Sequence, residues 1–284
     1  MNLQFLTSAD GLALRLRTWE AHGTPRGQVV VVHGLGEHGG RHAGLAAALQ
    51  AHGWRVLAHD HRGHGESAGP RGVVARDDSL TDDLSLVIDL ARRTLDGPLV
   101  LLGHSLGGLV AARFVAESLA PQPAAWSRRV DALVLSSPAI DAGLTAAQRL
   151  LIAVASRLAP ALALGNGLDP HAVSRDPAVV QAYVTDPLVH DRISGRLARF
   201  IADGGRQVLA AAPRWQVPTL LMWAGADRCV APAGSEQLAA ALPAGQLTAR
   251  GWPGLAHEIF HEPEREEVLV ALDTWLDRRF PSAV

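Results

Sequence analysis

The sequence predicts an α/β fold: a mostly parallel central sheet flanked by helices, with one helical cap insertion. Three observations carry this. Short runs that are apolar without alternation recur along the chain, as parallel strands buried on both faces require. Longer amphipathic stretches separate them, which is the rhythm of strand–helix–strand units. Between Pro138 and Pro213 the rhythm stops, and about 75 residues pass with helical spacing and no convincing strand, far longer than an ordinary crossover.

The elements follow in order. Gln28–His33 (QVVVVH) is the first buried strand, and Arg41–His52 has helical spacing. Arg55–His59 is the next strand. Asp77–Leu95 is a helix, opened by acidic residues that suit the positive helix start and closed by Gly97-Pro98. Pro98–Gly103 (PLVLLG) is a third strand and Leu106–Leu119 its helix. Asp131–Ser136 and Thr219–Trp223 repeat the strand pattern, and Pro263–Phe280 is the last helix. The expected division is a core of residues 1–137 and 214–284 with a cap of residues 138–213. Gly165, Gly167, Pro170, Pro177 and Pro187 punctuate that cap.

A chain of 284 residues buries roughly three-quarters of its unfolded surface and needs no disulfide or metal staple. Apolar residues make up 48% and charged residues 19%, which excludes a disordered or fibrous chain. All 26 basic residues are Arg, and the formal charge is −2. That balance offers no field for nucleic acid, so this partner class drops out. The lone Cys229 cannot pair internally and fits a reducing compartment. The N-terminus shows neither a basic n-region nor a long apolar h-region. These features point to a soluble cytoplasmic protein.

Gly103-His104-Ser105-Leu106-Gly107 follows a strand and precedes a helix. In a sharp strand-to-helix turn the glycines let backbones pack closely while the serine stays exposed as a nucleophile. Serine needs a base, and the base an orienting acid. His171 and His190 fall in the cap, away from strand ends. His257, in the loop Gly254–Glu258 before the last helix, is the expected base, with His261 the competitor. Asp227, beyond the carboxyl end of a strand, is the expected acid, with Asp141 its competitor. An oxyanion needs two backbone N–H donors. Leu106, next after the nucleophile, supplies one. Leu35, between Gly34 and Gly36, supplies the other. His38, His61 and His64 lie in glycine-rich loops without a supporting Cys or helical HxxxH spacing, so no metal and no cofactor is expected.

These residues resemble the monoacylglycerol lipase and lysophospholipase group of α/β-hydrolases. The shared text is His33–Arg41 (HGLGEHGGR), Asp60–Ser67 (DHRGHGES), Gly103–Gly108 (GHSLGG), Asp186-Pro187-Leu188, Ala224–Asp227 (AGAD), and His257 with the following Glu262-Pro263. It spans nearly the whole chain, cap included. The resemblance implies an α/β-hydrolase fold and a Ser105–Asp227–His257 triad, with Leu35 and Leu106 as oxyanion donors. It also implies a polar glycerol pocket lined by Glu37, Arg41 and Tyr183, with His104 before the nucleophile. His261 does not align without a gap.

The expected function is hydrolysis of carboxylic esters through an acyl-enzyme, monoacylglycerols foremost, giving fatty acid and glycerol. A general carboxylesterase or lysophospholipase with the same triad is the alternative, and a non-catalytic hydrolase-fold binding protein is the reading from another class. In the cap, Leu150, Leu151, Val154 and Leu158 form a helical stripe, interrupted by Arg149 and Arg157 and ended by Pro160, so it does not span a membrane. The stripe roofs the core. Two further roles are lining a lipid-chain tunnel and touching membrane surfaces transiently.

Overall fold

The computed structural model describes residues 1–281 and gathers eight strands into one sheet. In chain order the strands are β1 (Asn2–Thr7), β2 (Ala13–Trp19), β3 (Gly27–Val32), β4 (Trp54–His59), β5 (Leu99–His104) and β6 (Ala132–Ser136). A short pair, β7 (Ala163–Gly165) and β8 (Arg192–Ser194), lies outside the sheet, which β9 (Thr219–Ala224) and β10 (Leu247–Trp252) complete. The spatial order is β1-β2-β4-β3-β5-β6-β9-β10. The β1–β2 and β2–β4 pairs are antiparallel and the remaining pairs of the sheet are parallel.

Strand pleating explains why the central strands read as continuous apolar text. Val30 and Val32 point to one face, where they pack with Leu99, Leu101, Leu133 and Leu135. Val29 and Val31 point to the other, with Val100, Leu102, Ala132 and Val134. Each face is covered by helices, so neither set can be polar. Helices α1 (Ala43–Ala51) and α8 (Arg265–Arg279) close the second face through Leu45, Leu49, Leu272 and Leu276. Helices α2 (Ser79–Thr94) and α3 (Leu106–Glu117) close the first through Leu84, Ile88, Leu109 and Phe114.

Strands β1, β2 and β10 were not expected. β1 and β10 are the sheet edges and largely exposed, so they lack the apolar run that marked the others. β2 alternates Leu14 and Leu16 with Arg15 and Arg17, and Arg17 is itself buried against Asp60.

Between β6 and β9 the chain leaves the sheet. There it forms α4 (Ala146–Leu158), α5 (Pro177–Thr185) and α6 (Gly195–Ala211). The segment is not free of strands, since β7 pairs with β8. Three residues apiece are too few to show a period. α6 packs on α3 and contributes Leu197, Phe200 and Val208 to the core. A Cβ at Gly205 would lie 1.7 Å from the Ile140 carbonyl oxygen, so only glycine permits this approach. α7 (Pro232–Ala241) follows β9. Among the described residues no helix is long and apolar enough to cross a membrane.

Candidate active site

Ser105 occupies the turn between β5 and α3 at φ 54°, ψ −120°, a conformation that costs a non-glycine residue about 1–3 kcal/mol. The surroundings hold it there. Its N–H donates to the Ser136 carbonyl at 3.0 Å, and its own carbonyl accepts from Leu109 and Ala139, each at 3.0 Å. A Cβ at Gly107 would stand 2.0 Å from the Val32 carbonyl oxygen, and one at Gly103 would stand 2.3 Å from that of Gly107. The two glycines around the serine therefore let three stretches of backbone meet.

His257 and Asp227 come from loops after different strands. His257 Nδ1 donates to Asp227 Oδ2 at 2.7 Å. The second carboxylate oxygen accepts from the amides of Cys229 and Val230 at 2.8 and 3.0 Å, which fixes the plane of the acid. Burial alone would lower the His257 pKa, but the Asp227 hydrogen bond and charge, with Glu258 and Glu37 nearby, raise it above the ordinary 6.5. Asp141 is elsewhere, accepting from Gly143 N–H and facing Arg149.

The N–H groups of Leu35 and Leu106 have no acceptor among the described residues, and both leucines line cavities that Ser105 also lines. One cavity, of about 340 Å³ and termed the polar cavity, carries polar groups from Glu37, His104, Tyr183, His190, His257 and Glu258 in a wall that also includes Val173, Val184 and Val189. The other, of about 500 Å³, runs under the insertion between α4 and α6 and is walled by Leu144, Leu151, Ile152, Ala155 and Ile201. Ser105 stands where the two meet.

The remaining expected residues separate into those that reach the polar cavity and those behind it. Glu37, Tyr183 and His104 line it; Arg41 does not. Arg41 lies behind the wall. Its Nη1 donates to Glu37 Oε2 at 2.9 Å and to Glu258 Oε1 at 2.5 Å, its Nη2 donates to Glu258 Oε2 at 2.7 Å, and its guanidinium sits 4.6 Å from the Tyr183 ring centre. An uncompensated buried charge costs roughly 3–5 kcal/mol, so this cation and its two carboxylates require one another. Glu37 also accepts from Gly34 N–H at 2.6 Å and from His42 at 3.2 Å. Burial would raise its pKa, but His42 and Arg41 hold it well below the usual carboxylate range. His104 lies 4.7 Å from the His257 ring at a tilt of 50°, and burial beside that neighbour pushes its pKa down to about 3, so it is neutral. His261 donates to the Arg41 carbonyl at 2.9 Å and faces Glu258 at 3.2 Å, outside the cavity wall.

The shared motifs outside the triad join the insertion to the core. His38 donates to Asp186 at 2.9 Å. Glu262 accepts from Ser174, from the Arg175 amide and from the Ala256 amide next to His257, at 2.7 to 2.8 Å. Sequence reasoning missed Glu258 and His42, and set His190 aside; no local pattern marks them. His61 and His64 bond to backbone carbonyls of His33 and Arg62. Among the described residues the three groups closest to a metal-ligand cluster are Asp227, Cys229 and His257. The first and last are bonded to each other, and burial pushes the Cys229 thiol up to about 12, away from the thiolate a metal takes.

A base whose pKa is raised keeps its proton to higher pH and is inactive until it is lost. With His257 as base, kcat/KM for a soluble ester is expected to fall as pH drops through a value above 6.5. A pH–rate profile on a p-nitrophenyl ester checks this, and an acid limb below 6.5 counts against it.

A mostly parallel sheet of this order, with a serine on the sharp turn after β5, has the architecture of the α/β-hydrolases. Comparison with known proteins narrows the class. The family model described as serine aminopeptidase, S33, matches residues 23–264, and the chain belongs to this hydrolase family. Within it the chain is similar to a monoacylglycerol lipase of Mycolicibacterium smegmatis, 35% identical over 94% of this chain and 93% of that one. It is also 32% identical to phospholipase YtpA of Bacillus subtilis over 92% of this chain and 98% of that one. The crystal structure of a Paleococcus ferrophilus monoacylglycerol lipase superposes with a TM-score of 0.81, at 36% identity over 98% of this chain and all of that chain. The chain is thus a hydrolase of the lipase and esterase type.

Proposed function

We propose that this hydrolase cleaves monoacylglycerols to fatty acid and glycerol through an acyl-enzyme on Ser105. The observation that carries this reading is the position of Ser105 at the junction of an aliphatic cavity under the insertion and a cavity whose wall carries Glu37, Tyr183 and Glu258. His257 takes the Ser105 proton as Oγ attacks the ester carbonyl. Asp227 holds the imidazole in the required tautomer and stabilises its charged form. The Leu35 and Leu106 N–H groups receive the oxyanion. His257 then returns the proton to the departing alcohol, and a water deprotonated by the same imidazole releases the acid. Residues 138–213 act as a cap whose helices close the acyl side.

The polar cavity suits a neutral alcohol. Glu37, Asp169, Asp191 and Glu258 line it, and among the described residues no Arg does, which disfavours the phosphate of a lysophospholipid. Initial rates on monoacylglycerols, lysophospholipids and p-nitrophenyl esters of equal chain test the assignment. Faster lysophospholipid turnover would favour the phospholipase alternative.

All four stripe residues are exposed, Leu151 as much as Leu150, and of the four only Leu151 also lines the apolar cavity. Selectivity for the acyl chain should therefore respond at Ile152 and Ala155. Ile152→Trp is expected to slow long-chain esters by about 10- to 200-fold relative to short ones, whatever the alcohol. Tyr183→Phe should instead lower kcat/KM for monoacylglycerol more than for the p-nitrophenyl ester, because a buried partner is left unpaired. Glu37 is a poorer probe, since its bond to Gly34 N–H ties it to the oxyanion loop for every ester. Equal losses on both alcohols in Tyr183→Phe would remove the glycerol pocket.

The exposed stripe residues, with Leu162 and Leu164 beside them, form an apolar lip above that cavity. In our reading this lip meets lipid surfaces as substrate enters. Leu150→Ser with Leu158→Ser should reduce co-sedimentation with phosphatidylcholine vesicles and leave p-nitrophenyl acetate hydrolysis within twofold. Unchanged sedimentation would count against the contact.

A further inference from the structure

Two buried histidines behind the oxyanion loop are unused by the chemistry above. His33 and His61 are each fully buried. The His61 backbone N–H donates to His33 Nε2 at 2.8 Å, and His61 Nε2–H donates back to the His33 carbonyl at 3.1 Å. This reciprocal pair ties the end of β3 to the end of β4. It also decides a tautomer. A ring nitrogen that accepts from an amide carries no proton, so in neutral His33 the proton sits on Nδ1. Nδ1–H donates to the Gly34 carbonyl at 2.8 Å. Burial, with His61 and His64 close by, holds the His33 pKa well below its ordinary value, so the ring stays neutral.

The Gly34 carbonyl belongs to the same peptide unit as the Leu35 N–H. In a trans unit these two groups point in opposite directions. A carbonyl held toward the His33 ring therefore sends the Leu35 N–H away from the core, toward the cavity shared with Ser105. The neighbouring groups of the loop are engaged as well. Gly34 N–H donates to Glu37, and the Gly36 carbonyl accepts from the His190 N–H of the insertion at 2.8 Å. Glycine at 34 would otherwise allow this peptide to flip cheaply. From these contacts we infer that His33 is a positioning residue: its Nδ1–H, set by the His61 amide, aims the Leu35 N–H at the oxyanion. The inference rests on the proposed role of Leu35, and His33 itself does not line the cavity.

Two substitutions separate the two ring nitrogens. In His33→Asn the side-chain amide N–H stands where Nδ1–H stood and can still hold the Gly34 carbonyl. In His33→Gln the longer amide reaches the His61 N–H and leaves Gly34 without its donor. For p-nitrophenyl butyrate, H33Q is expected to lose about 10²–10³-fold in kcat, as for one lost oxyanion donor, with KM within about threefold. H33N should stay within about tenfold of the native kcat. Affinity for an alkyl boronic acid, which forms a tetrahedral adduct on serine, should fall in H33Q by the same factor as kcat. Equal losses in both variants, or none in H33Q, overturn the inference. Should neither variant fold, ¹⁵N shifts of histidine in the native enzyme decide: His33 protonated on Nε2 overturns it, and on Nδ1 supports it. Failure of the boronic acid to bind the native enzyme would instead sink the Ser105 reading itself. Tight binding that H33Q leaves undiminished sinks the His33 role alone.

Discussion

Replacing Ser105 with alanine is expected to cost on the order of a million-fold in kcat on any ester, by analogy with serine-hydrolase triad knock-outs. The structure isolates the serine well enough for the result to be clean. Its φ of 54° is imposed by backbone bonds to Ser136, Leu109 and Ala139, none of which involves the hydroxyl. Alanine can sit in the same turn at a similar strain, and no side-chain hydrogen bond is lost among the described residues. Folding should therefore be nearly unchanged while the nucleophile disappears. A fluorophosphonate probe should label the native protein at one site and the variant at none. Labelling that survives the substitution, or turnover within a hundredfold of native, would remove Ser105 from the reaction.

Asp227→Asn should cost about ten-thousand-fold in kcat. The carboxylate accepts the His257 Nδ1 proton at 2.7 Å and so leaves Nε2 as the basic nitrogen. An asparagine amide can present its N–H to the same atom. That places the proton on Nε2 and removes the base from the side that must face Ser105. The Cys229 and Val230 amides, which hold the other oxygen, would still find an acceptor in the amide carbonyl, so the loop should keep its shape. Asp141→Asn is the control. Asp141 caps a local turn and lines neither cavity, so its effect on kcat should stay within about twofold. A large loss at Asp141 with a small one at Asp227 would move the acid to the earlier strand.

Both predictions concern residues that could be named from local text. Ser105, Asp227 and His257 each follow a recognisable element or precede one, and the parallel sheet brings the ends of β5 and β9 to the same edge. The less legible parts were of two kinds. β1 and β10 are edges with one or both faces in water, so no apolar period announces them. The stripe on α4 was periodic, yet all four of its residues are exposed and only Leu151 reaches the wall of the apolar cavity. A period tells which residues share a side of a helix; it does not tell what covers that side.

By itself, then, the amino-acid sequence determined the alternation of strands and helices, because a strand buried on both faces must be apolar throughout and a sharp turn beside other backbone must be glycine. It also determined which residue types were available for nucleophile, base and acid. The tertiary structure alone decided the pairings. Arg41 reads like a pocket residue, but it meets Glu258 across 217 positions and is drawn behind the wall. His33 reads as the end of a strand, and only the amide of His61 fixes which of its nitrogens carries the proton. Buried charges and imidazoles take the partners that compensate their desolvation, and those partners are set by the packing of distant segments rather than by neighbours in the chain.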